Sequence, residues 1–484
     1  MAFLRVSLAA IVICDLGIRA GDFTAHYTND GVLPIRHSFL GLFQDSEWRW
    51  SLFWIHSHAI WQGAMFVLAA VSAFGMLLGY RTRLFVVLTW ASIVSLHTRN
   101  LLVLNHSDHL IRNILFWCMF LPLGATFSLD ARRQPANEGR NRRVFSAATV
   151  ALMLQFCIMY WSTAIQKTDP VWTETGWALY DALNLDTLTT PFGRWLAGFP
   201  EFTRWATTLT LWLELIGPLL LFVPVFTDRL RLLVIAAFVG LHLGILLCFN
   251  VGFFSWISMA CWAMFLPSSF WNALTPRAGT SSSHAAATAS SNLVVGHASP
   301  LANVVVSALF VYILLFNAWF IESASTAPEQ RRFAWFDGVA KRPAHLLGLE
   351  QQWNMFAPHP ILDDGWFLAV ATQRDGKQID LLTGGQPVSW AKPRAVPIAV
   401  RGHRWTSYLA HLPREEYAGL RNHFVDYLTG AWNAQHQGER GVDDVQLFFM
   451  HERTVPYPET PQPRRMPLPL LDLSGGSDGP GARS

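Results

Sequence analysis

Long apolar runs recur along this chain, and they limit its possible folds more than any other feature of the sequence. The run Val144–Ile165 has about the length that an α-helix needs to cross a bilayer. Charged residues make up only 14% of the chain, whereas a soluble protein carries roughly 25%. The sequence therefore predicts an all-α polytopic membrane helix bundle with a small α+β soluble domain at its C-terminal end.

The apolar runs predict about nine transmembrane helices. The chain contains 22 Trp and 34 Phe residues, as expected where aromatic side chains line both membrane interfaces. The first run lacks a basic stretch and a small-residue cleavage site, so we expect a retained helix and not a removed signal peptide. The predicted helices are residues 3–18, 59–80, 84–96, 104–123, 144–166, 205–225, 230–249, 252–266 and 304–321.

Arginines occupy alternate loops between these helices, and their distribution predicts the orientation. Because positively charged loops stay in the cytoplasm, we expect the N-terminus inside a plasma or inner membrane and the soluble domain outside. The loops 96–109, 167–204 and 249–252 are then all extracytoplasmic, and they carry the unusual polar residues. The loop arginines are Arg81, Arg83, Arg132, Arg133, Arg140, Arg142, Arg143, Arg229 and Arg231.

Two polar stretches divide the remainder of the chain. Residues 268–300 are rich in Ser, Ala and Thr, which predicts a disordered cytoplasmic linker inside a membrane domain of residues 1–325. Residues 456–484 are rich in Pro and Gly and are predicted to be a disordered tail. Between them, residues 345–455 form the predicted soluble domain.

The soluble domain is predicted from short periodic segments. WFLAVAT (366–372) and KQIDLL (377–382) alternate apolar and polar residues around the turn QRDG, which predicts a β-hairpin. Residues 413–434 have the periodicity of an amphipathic helix, and residues 445–455 that of a final strand.

Composition excludes several classes of function. A net charge of +3, with no basic run that also carries aromatic residues, argues against a nucleic-acid partner. The five cysteines all lie in apolar segments without CxxC spacing, so neither a disulfide framework nor a zinc site is expected. The sequence contains no P-loop and no glycine-rich dinucleotide fingerprint.

Lys167 follows the fifth predicted helix and is the strongest candidate for chemistry. A lysine at the end of a membrane helix can be a snorkelling anchor whose ammonium lies among lipid headgroups. Alternatively, a lysine that is partly removed from water can act as a base, since desolvation favours the neutral amine. Gln166 and Asp169 flank it, and Pro170 is expected to end the helix.

The stretch Asn105–Asn113 is the second candidate. His106, His109 and Asn113 fall on one face of a helix, and Asp108 and Arg112 are spaced as an i,i+4 ion pair. Two readings are open: Asn105 or Ser107 caps the helix, or His106 faces a shared pocket as a donor or proton shuttle. Two histidines without an acidic or cysteine partner do not predict a metal site.

Further polar residues lie within or next to apolar runs. Asp15 and Arg19 have the i,i+4 spacing that allows them to neutralise one another. His242 and Asn250 lie near the end of the seventh helix, where a histidine can simply hydrogen-bond to a neighbouring helix. Glu214 lies three residues before Gly217-Pro218, where a helix can break, and it needs either a proton or a partner such as His242 or Lys167.

Several separated motifs, in this order, resemble the HTTM family, the membrane domain shared with vitamin K-dependent gamma-carboxylase. They are an Asp and an Arg in the first helix, then HYTNDGVLP, LLGYRTRL, NHSDHLIRNILF and FLPLGATFSLD. The resemblance extends over roughly residues 1–325. The block WNMFAPHPILDDGW (353–366) is similar to the C-terminal extension of bacterial members.

The resemblance implies roles for individual residues. The segment 160–172 is similar to the carboxylase segment that carries the catalytic lysine, and Lys167 takes that position. Gln166 replaces a preceding lysine, whereas Asp169 and Trp172 keep their spacing. The triplet Asn105-His106-Ser107 is similar to the carboxylase Asn-His-Ser. The segment that begins at His242 is similar to a carboxylase segment that also contains a histidine.

The resemblance also implies a mechanism. A neutral lysine deprotonates reduced vitamin K, the quinol anion reacts with O2, and the resulting strong base removes a glutamate γ-proton so that CO2 can add. Here the reduced quinone is expected to be menaquinol. The carboxylase carries a much larger lumenal region for its peptide substrate, so the acceptor here, protein or small molecule, is not implied.

We therefore expect a quinol-dependent membrane enzyme with Lys167 as base and His106 and His242 in support. Asn105, His109, Asp169, Glu214 and Asn250 are expected to supply further polar groups. One alternative is a membrane protein that binds quinone or lipid without catalysis. Another is a transporter or scaffold whose soluble domain recruits a partner, although transporters usually bury their polar residues at mid-membrane in broken helices.

Overall fold

The structure is a computed structural model, and it describes residues 1–36, 48–133, 146–274, 300–327, 330–393, 402–455 and 462–470. A helical membrane domain, up to residue 325, is followed by a smaller tail domain, residues 342–470, which contains a sheet.

Each of the predicted membrane helices is present as a helix. Four are long and apolar enough to cross a membrane by length and composition: Ala59–Leu78, Ala147–Gln166, Thr227–Cys248 and Pro300–Ser325. The other crossings stay predictions. The helices are α1 Ala2–Gly21, α2 Phe23–Tyr27, α3 Ala59–Leu78, α4 Thr82–Arg99, α5 His106–Cys118, α6 Leu129–Arg132, α7 Ala147–Gln166, α8 Pro170–Thr173, α9 Ala178–Leu183, α10 Pro191–Ala197, α11 Pro200–Leu220, α12 Thr227–Cys248, α13 Phe254–Trp262, α14 Ser268–Leu274 and α15 Pro300–Ser325.

Two details differ from the sequence predictions. α11 runs through Pro218 to Leu220, so the helix is not broken next to Glu214. The first residues of the predicted linker form α14, which contains the apolar residues Phe270 and Trp271. The rest of that linker, residues 275–299, lies outside the described residues.

The helices of the membrane domain surround one apolar core. α1 packs against α3 and α13, while α7 packs against α11 and α15. Large aromatic side chains fill the centre: Trp117, Phe156 and Trp262 are each fully buried. Side chains on the outer faces, such as Ile60, Leu209 and Leu233, are exposed and apolar, as expected for a surface that faces lipid.

The tail domain is built on an antiparallel sheet of order β3-β2-β1-β4-β5. The predicted hairpin is confirmed, because β1 and β2 pair around the QRDG turn. The strands are β1 Asp363–Gln373, β2 Gln378–Asp380, β3 Gln386–Pro387, β4 Val442–Arg453 and β5 Arg464–Leu468, and the helices are α16 Arg342–Leu347, α17 His403–Leu409 and α18 Ala418–Asn433.

Strand β5 lies in a stretch whose composition predicts disorder. Residues 464–468 pair with β4, for example Leu468 with Leu447, and Leu468 is buried. Composition alone missed this strand because its order comes from pairing with a distant strand. Residues 471–484 lie outside the described residues.

The tail domain shares its core with loops of the membrane domain. Ala25, Val32, Leu102 and Val103 are buried in the same apolar cluster as tail residues such as Tyr408 and Phe424. The indole of Trp405 lies next to the His26 ring, with ring centroids 4.4 Å apart and the two planes tilted by 51°. The two domains therefore form a continuous interface at the end of the bundle where α5 begins.

Candidate functional site

The candidate site is centred on Lys167, which directly follows α7. Pro170 disfavours helical backbone at Asp169, and the Asp169 carboxylate accepts a hydrogen bond from the Val171 amide at the start of α8. The chain turns at Lys167 as a result, and its side chain points back into the bundle.

The Lys167 amine is buried in the structure. Nζ lies 2.5 Å from Oε2 of Glu214, which α11 provides, and 4.2 Å from the ring centre of Trp172. Lys167 is 4% exposed and Glu214 is 8% exposed. The snorkelling alternative is therefore wrong, because the amine meets a carboxylate instead of water. Of the partners suggested for Glu214, the structure gives Lys167.

His242 lies in a different contact from the amine. Its Nε2 is 2.6 Å from the hydroxyl of Tyr160, and the Trp262 indole donates to the same hydroxyl at 3.0 Å. Tyr160 lies about two turns before Lys167 on α7. The His242 Nδ1 is buried and has no hydrogen-bond partner in the described part of the chain. It therefore keeps one unused polar atom.

Asn105 caps α5, as one of the two alternatives expected. Its side-chain oxygen accepts from the Ser107 amide at 2.9 Å, while the Asp108 carboxylate accepts from the Asn105 amide at 2.9 Å. This reciprocal capping box fixes the start of α5. His106, the first residue of α5, is partly buried, and its Nε2 lies 3.4 Å from the Asn354 side-chain oxygen.

The predicted ion pair between Asp108 and Arg112 is wrong. The Asp108 carboxylate contacts Arg19 and Arg404, and Arg112 donates to Nδ1 of His109 at 2.9 Å. The i,i+4 spacing permits the local pair, but two other guanidinium groups already surround this carboxylate.

A segment beyond the last membrane helix enters the bundle; we call residues 349–356 the plug segment. Its residues 349, 351 and 353 are buried and alternate with more exposed ones, as in an extended chain. The Gln351 amide contacts Gln155 at 2.8 Å and Asn113 at 3.1 Å, and the Trp353 indole donates to it at 2.8 Å. These buried amides hold the plug segment in one register.

The plug segment contacts His106 and two residues next to Lys167, Gln166 and Trp172. Gln166 donates to the Trp353 carbonyl at 2.8 Å, and the indole that faces the amine, Trp172, donates to the Phe356 carbonyl at 3.0 Å. The next residue after Trp353 is Asn354, the contact of His106. The structure thus brings Lys167 and His106 to one short segment, while His242 lies deeper in the bundle.

The other predicted polar residues have structural contacts. His109 Nδ1 is 3.2 Å from the Glu350 carbonyl, at the start of the plug segment. The backbone amide of Asn250 donates to the Leu188 carbonyl at 2.7 Å, which connects the 249–252 turn to the loop after α9.

A second set of buried charged residues consists of Asp15, Arg19, Asp108 and Arg404, and we call it the four-charge cluster. The predicted pair of Asp15 and Arg19 is confirmed at 2.7 Å, and Arg19 also reaches Asp108 at 2.6 Å. Arg404 contacts Asp15 at 2.6 Å and both oxygens of Asp108. The ligand atoms of Asp15, Asp108 and His97 are close enough to hold a metal ion, but the guanidinium groups already occupy both carboxylates.

Two cavities are described away from the amine. One, of about 480 Å³, lies between the loop after α9 and the tail sheet, and includes Asp186, Arg194, Lys392 and Glu452. The other, of about 400 Å³, lies between the start of α7 and α15. Since α7 is roughly 30 Å long, this second groove is far from Lys167.

The main residues that sequence reasoning missed come from the tail domain. Arg404 and His403 begin α17, and nothing in their local spacing connects them with α1 or α5. A Cβ atom at Gly252 would lie 2.9 Å from Nε2 of His403 and 3.3 Å from the side-chain nitrogen of Asn105, so these three residues are closely packed. The plug segment did carry a signal, the block that begins WNMFAP, but its insertion into the bundle was not predicted.

The family comparison supports the identity of the membrane domain. Residues 41–271 match the family model described as the HTTM domain. The matched range includes Lys167, Glu214, His106 and His242, and it ends before the plug segment and Arg404. Searches of curated proteins and of solved structures found no match for this chain.

Proposed function

Residues 41–271 of this chain are an HTTM domain, and on that premise we propose that the protein is a quinol-dependent, carboxylase-like membrane enzyme. In this proposal Lys167 Nζ accepts a proton from a hydroxyl of the reduced quinone, which is the substrate. The observation that carries the proposal is the buried amine, which has a single carboxylate as its polar partner among the described residues.

The pair of Lys167 and Glu214 supplies a way to keep the amine neutral. Two buried groups at 2.5 Å that hold one proton between them can form either an ion pair or an amine and a carboxylic acid. Removing both groups from water disfavours the charged arrangement, because desolvation of two ions costs more than that of a neutral pair. With the proton on Glu214, Nζ has a free lone pair and is ready to act as a base.

The surroundings fit a quinol, which is an aromatic ring with a hydroxyl at each end. The Trp172 ring, next to the amine, offers a flat apolar face. Deeper in the bundle, Nδ1 of His242 and Oγ of Ser255 are buried without a hydrogen-bond partner in the described residues, and either can bind a second hydroxyl. The apolar outer faces of α11 and α12 suit an isoprenoid tail that reaches the site from lipid.

The remaining candidate residues have supporting roles in this proposal. Tyr160 orients His242, and the capping box orients His106 toward Asn354 at the exposed edge of the plug segment. When bound, the quinol supplies reducing equivalents to O2 and thereby a base strong enough to create a carbanion, to which CO2 adds. His106 then faces the side from which an acceptor arrives, and the class of the acceptor stays open.

The test is Lys167→Met in the purified protein, with reduced menaquinone as substrate and its oxidation followed by absorbance. Removing a general base lowers a rate by about 100-fold or more, so we expect a loss of at least that size. Oxidation at the rate of the parent protein would show that Lys167 is not the base.

The chain provides a matched control in Lys341. Its amine also lies over a tryptophan, 4.6 Å from the ring centre of Trp319, and it also pairs with a carboxylate, Asp337, at 3.1 Å. Unlike Lys167 it is partly exposed, and it lies outside the candidate site. Lys341→Met should therefore leave quinol oxidation unchanged, which separates the role of Lys167 from a general effect of removing a lysine.

The second candidate is a protein that binds quinone without reacting with it, and the closed pair of Lys167 and Glu214 is the observation that favours it. Mass spectrometry of lipids bound to the purified protein distinguishes the readings. Bound quinone together with no oxidation would favour binding alone. Absence of quinone would favour a transporter or scaffold, although the unbroken α11 lacks the discontinuous helix typical of transporter sites.

A further inference from the structure

We infer that the tail domain completes the candidate site, and that Arg404 is a positioning residue for His106. This inference rests on the proposed function for its catalytic consequence, but its structural part can be tested separately. The family match ends at residue 271, so it includes neither Arg404 nor any other part of the tail domain.

Arg404 is held deep between the two domains. It is 4% exposed, and α17 carries it into the end of the bundle where α1 and α5 meet. Its guanidinium group donates to the Val103 carbonyl at 2.9 Å, to Asp15 at 2.6 Å and to both oxygens of Asp108. A planar group with this many fixed donors sets the orientation of the Asp108 carboxylate, which a point charge would not do.

The orientation of Asp108 determines where His106 points. Asp108 Oδ2 contacts Arg404 and also accepts the Asn105 amide, and the Asn105 side chain in turn accepts the Ser107 amide. Arg404 therefore fixes the first turn of α5 through three consecutive contacts. His106 belongs to that turn, so its contact with Asn354 depends on a residue of the tail domain that is distant in sequence. Arg404 and Asp108 are 296 residues apart.

The residue before Arg404 supports the same conclusion. His403 and the Asn105 side chain both lie close to Gly252, and the His403 Nε2 is buried without a partner among the described residues. Burial, followed by the nearby Arg404, lowers the pKa of His403 to about 4, so the ring is neutral at pH 7. Gly252 has φ +64, which favours glycine, and a Cβ atom at this position would require the His403 ring to shift.

Docking of the tail domain does not depend on Arg404 alone. Trp405 donates to Asp22 at 3.1 Å, the Tyr408 hydroxyl donates to Val32, and the shared apolar core surrounds both rings. These contacts do not involve Arg404, so the two domains stay in contact in its variants, and Arg404→Lys, which keeps the positive charge next to Asp15 and Asp108, separates lost positioning from lost charge balance.

The experiment compares Arg404→Met, Arg404→Lys and Arg421→Met in the full chain. Arg421 is the matched control, because it is also a fully buried arginine of the tail domain, but it binds Leu412, Glu415 and Pro469 within that domain. The first measurement is amide hydrogen exchange of residues 105–109, and the second is kcat and KM for quinol oxidation.

For Arg404→Met we expect exchange at the start of α5 to accelerate at least tenfold, and kcat to fall about tenfold while KM stays within twofold. The exchange rate and kcat of Arg404→Lys should lie between those of this variant and the parent. The exchange rate of residues 105–109 in Arg421→Met should match that of the parent. Unchanged exchange in Arg404→Met, or equal acceleration in Arg421→Met, would overturn the positioning role. If the parent protein does not oxidise quinol, the proposed function fails, while the exchange measurement still decides this inference.

Discussion

The four-charge cluster and the pair of Lys167 and Glu214 both bury ions in the same bundle, yet they differ in how completely those ions are satisfied. In the cluster, two carboxylates face two guanidinium groups, and every member has at least two charged partners. Its charges sum to zero, and the oxygens that could bind a metal ion are already in contact with arginine. Lys167 instead has one carboxylate and one aromatic ring as neighbours.

The difference separates a structural site from one that is suited to chemistry. A saturated cluster resists change, because displacing any contact leaves an unpaired buried charge. An amine with one partner can, in its neutral form, use its lone pair to accept a proton from a substrate. Buried charge alone is therefore a poor guide to function in a membrane bundle, and the number of partners of each charge is a better one.

The largest effect that tests this comparison is expected for Arg19→Met. It leaves two buried carboxylates with only Arg404, and breaking a buried ion network in this way costs about 3–5 kcal/mol. We expect a large fall in the midpoint of thermal unfolding in detergent. Lys167→Met should cost much less, since Glu214 can take up a proton and become neutral. Equal losses in the two variants would remove the distinction between cluster and pair.

The double variant Arg19→Met with Asp15→Asn is the control for charge balance. It leaves one carboxylate, Asp108, opposite one guanidinium group, Arg404. We expect it to recover a substantial part of the stability that Arg19→Met loses. Failure to recover would indicate that the shape of the arginine side chain, and not the charge balance, stabilises this region.

A smaller effect is expected from His26, which lies beside the cluster. Burial, and then the positive charges of Arg19, Arg404 and Arg99, lower the pKa of His26 to about 3. The unfolded chain therefore binds a proton below about pH 6.5 that the folded protein does not, so stability is present above that pH and is lost as the pH falls. Between pH 6.5 and 5 this single group accounts for about 2 kcal/mol.

His26→Phe should reduce that sensitivity to acid. Phenylalanine keeps a ring next to Trp405 but has no proton to gain. We expect the unfolding midpoint of the variant to fall less than that of the parent between pH 7 and 5. At pH 8 the midpoints of the two proteins should differ less than at pH 5. A parallel fall in both proteins would show that His26 does not contribute to the acid response.

Much of this fold follows from local sequence patterns. The apolar runs located the nine predicted helices of the membrane domain, because a lipid-facing helix is apolar over most of its length, but they did not locate the short helices between them. Alternation located the hairpin of β1 and β2, and the i,i+4 spacing located the pair of Asp15 and Arg19. These features depend on residues that are close in sequence.

The parts that were not predicted depend on distant residues. Asp108 could pair with Arg112 by spacing, but Arg19 and Arg404 reach it from positions 89 and 296 residues away. Likewise, Gln351 is polar and belongs to the predicted soluble domain, yet it is fully buried because Gln155, Asn113 and Asn317 supply amide groups that bond to it. Sequence spacing contains no information about such partners. Of the candidate site, the lysine and its possible carboxylate partner were predicted, but not the surrounding segments.

The smallest effect is expected for Glu214→Gln, and it tests what the single partner of Lys167 does. Glutamine keeps the size and a hydrogen-bond acceptor for Nζ, but it can neither carry a negative charge nor accept the proton. If Glu214 keeps the amine neutral by holding the shared proton, the variant loses that acceptor, and quinol oxidation should fall by about tenfold, or roughly 1.4 kcal/mol.

Glutamine also distinguishes a proton acceptor from a plain counter-ion. As a counter-ion, Glu214 would hold Lys167 in its charged, inactive form, and removing the negative charge would free the amine and raise the rate. A proton acceptor predicts the opposite sign. Quinol oxidation by Glu214→Gln, measured from pH 6 to 9 beside the parent and Lys341→Met, therefore decides between a poised base and a closed ion pair. A rate above that of the parent would show that Glu214 is a counter-ion that masks the amine, and that the shared proton is not what makes Lys167 a base.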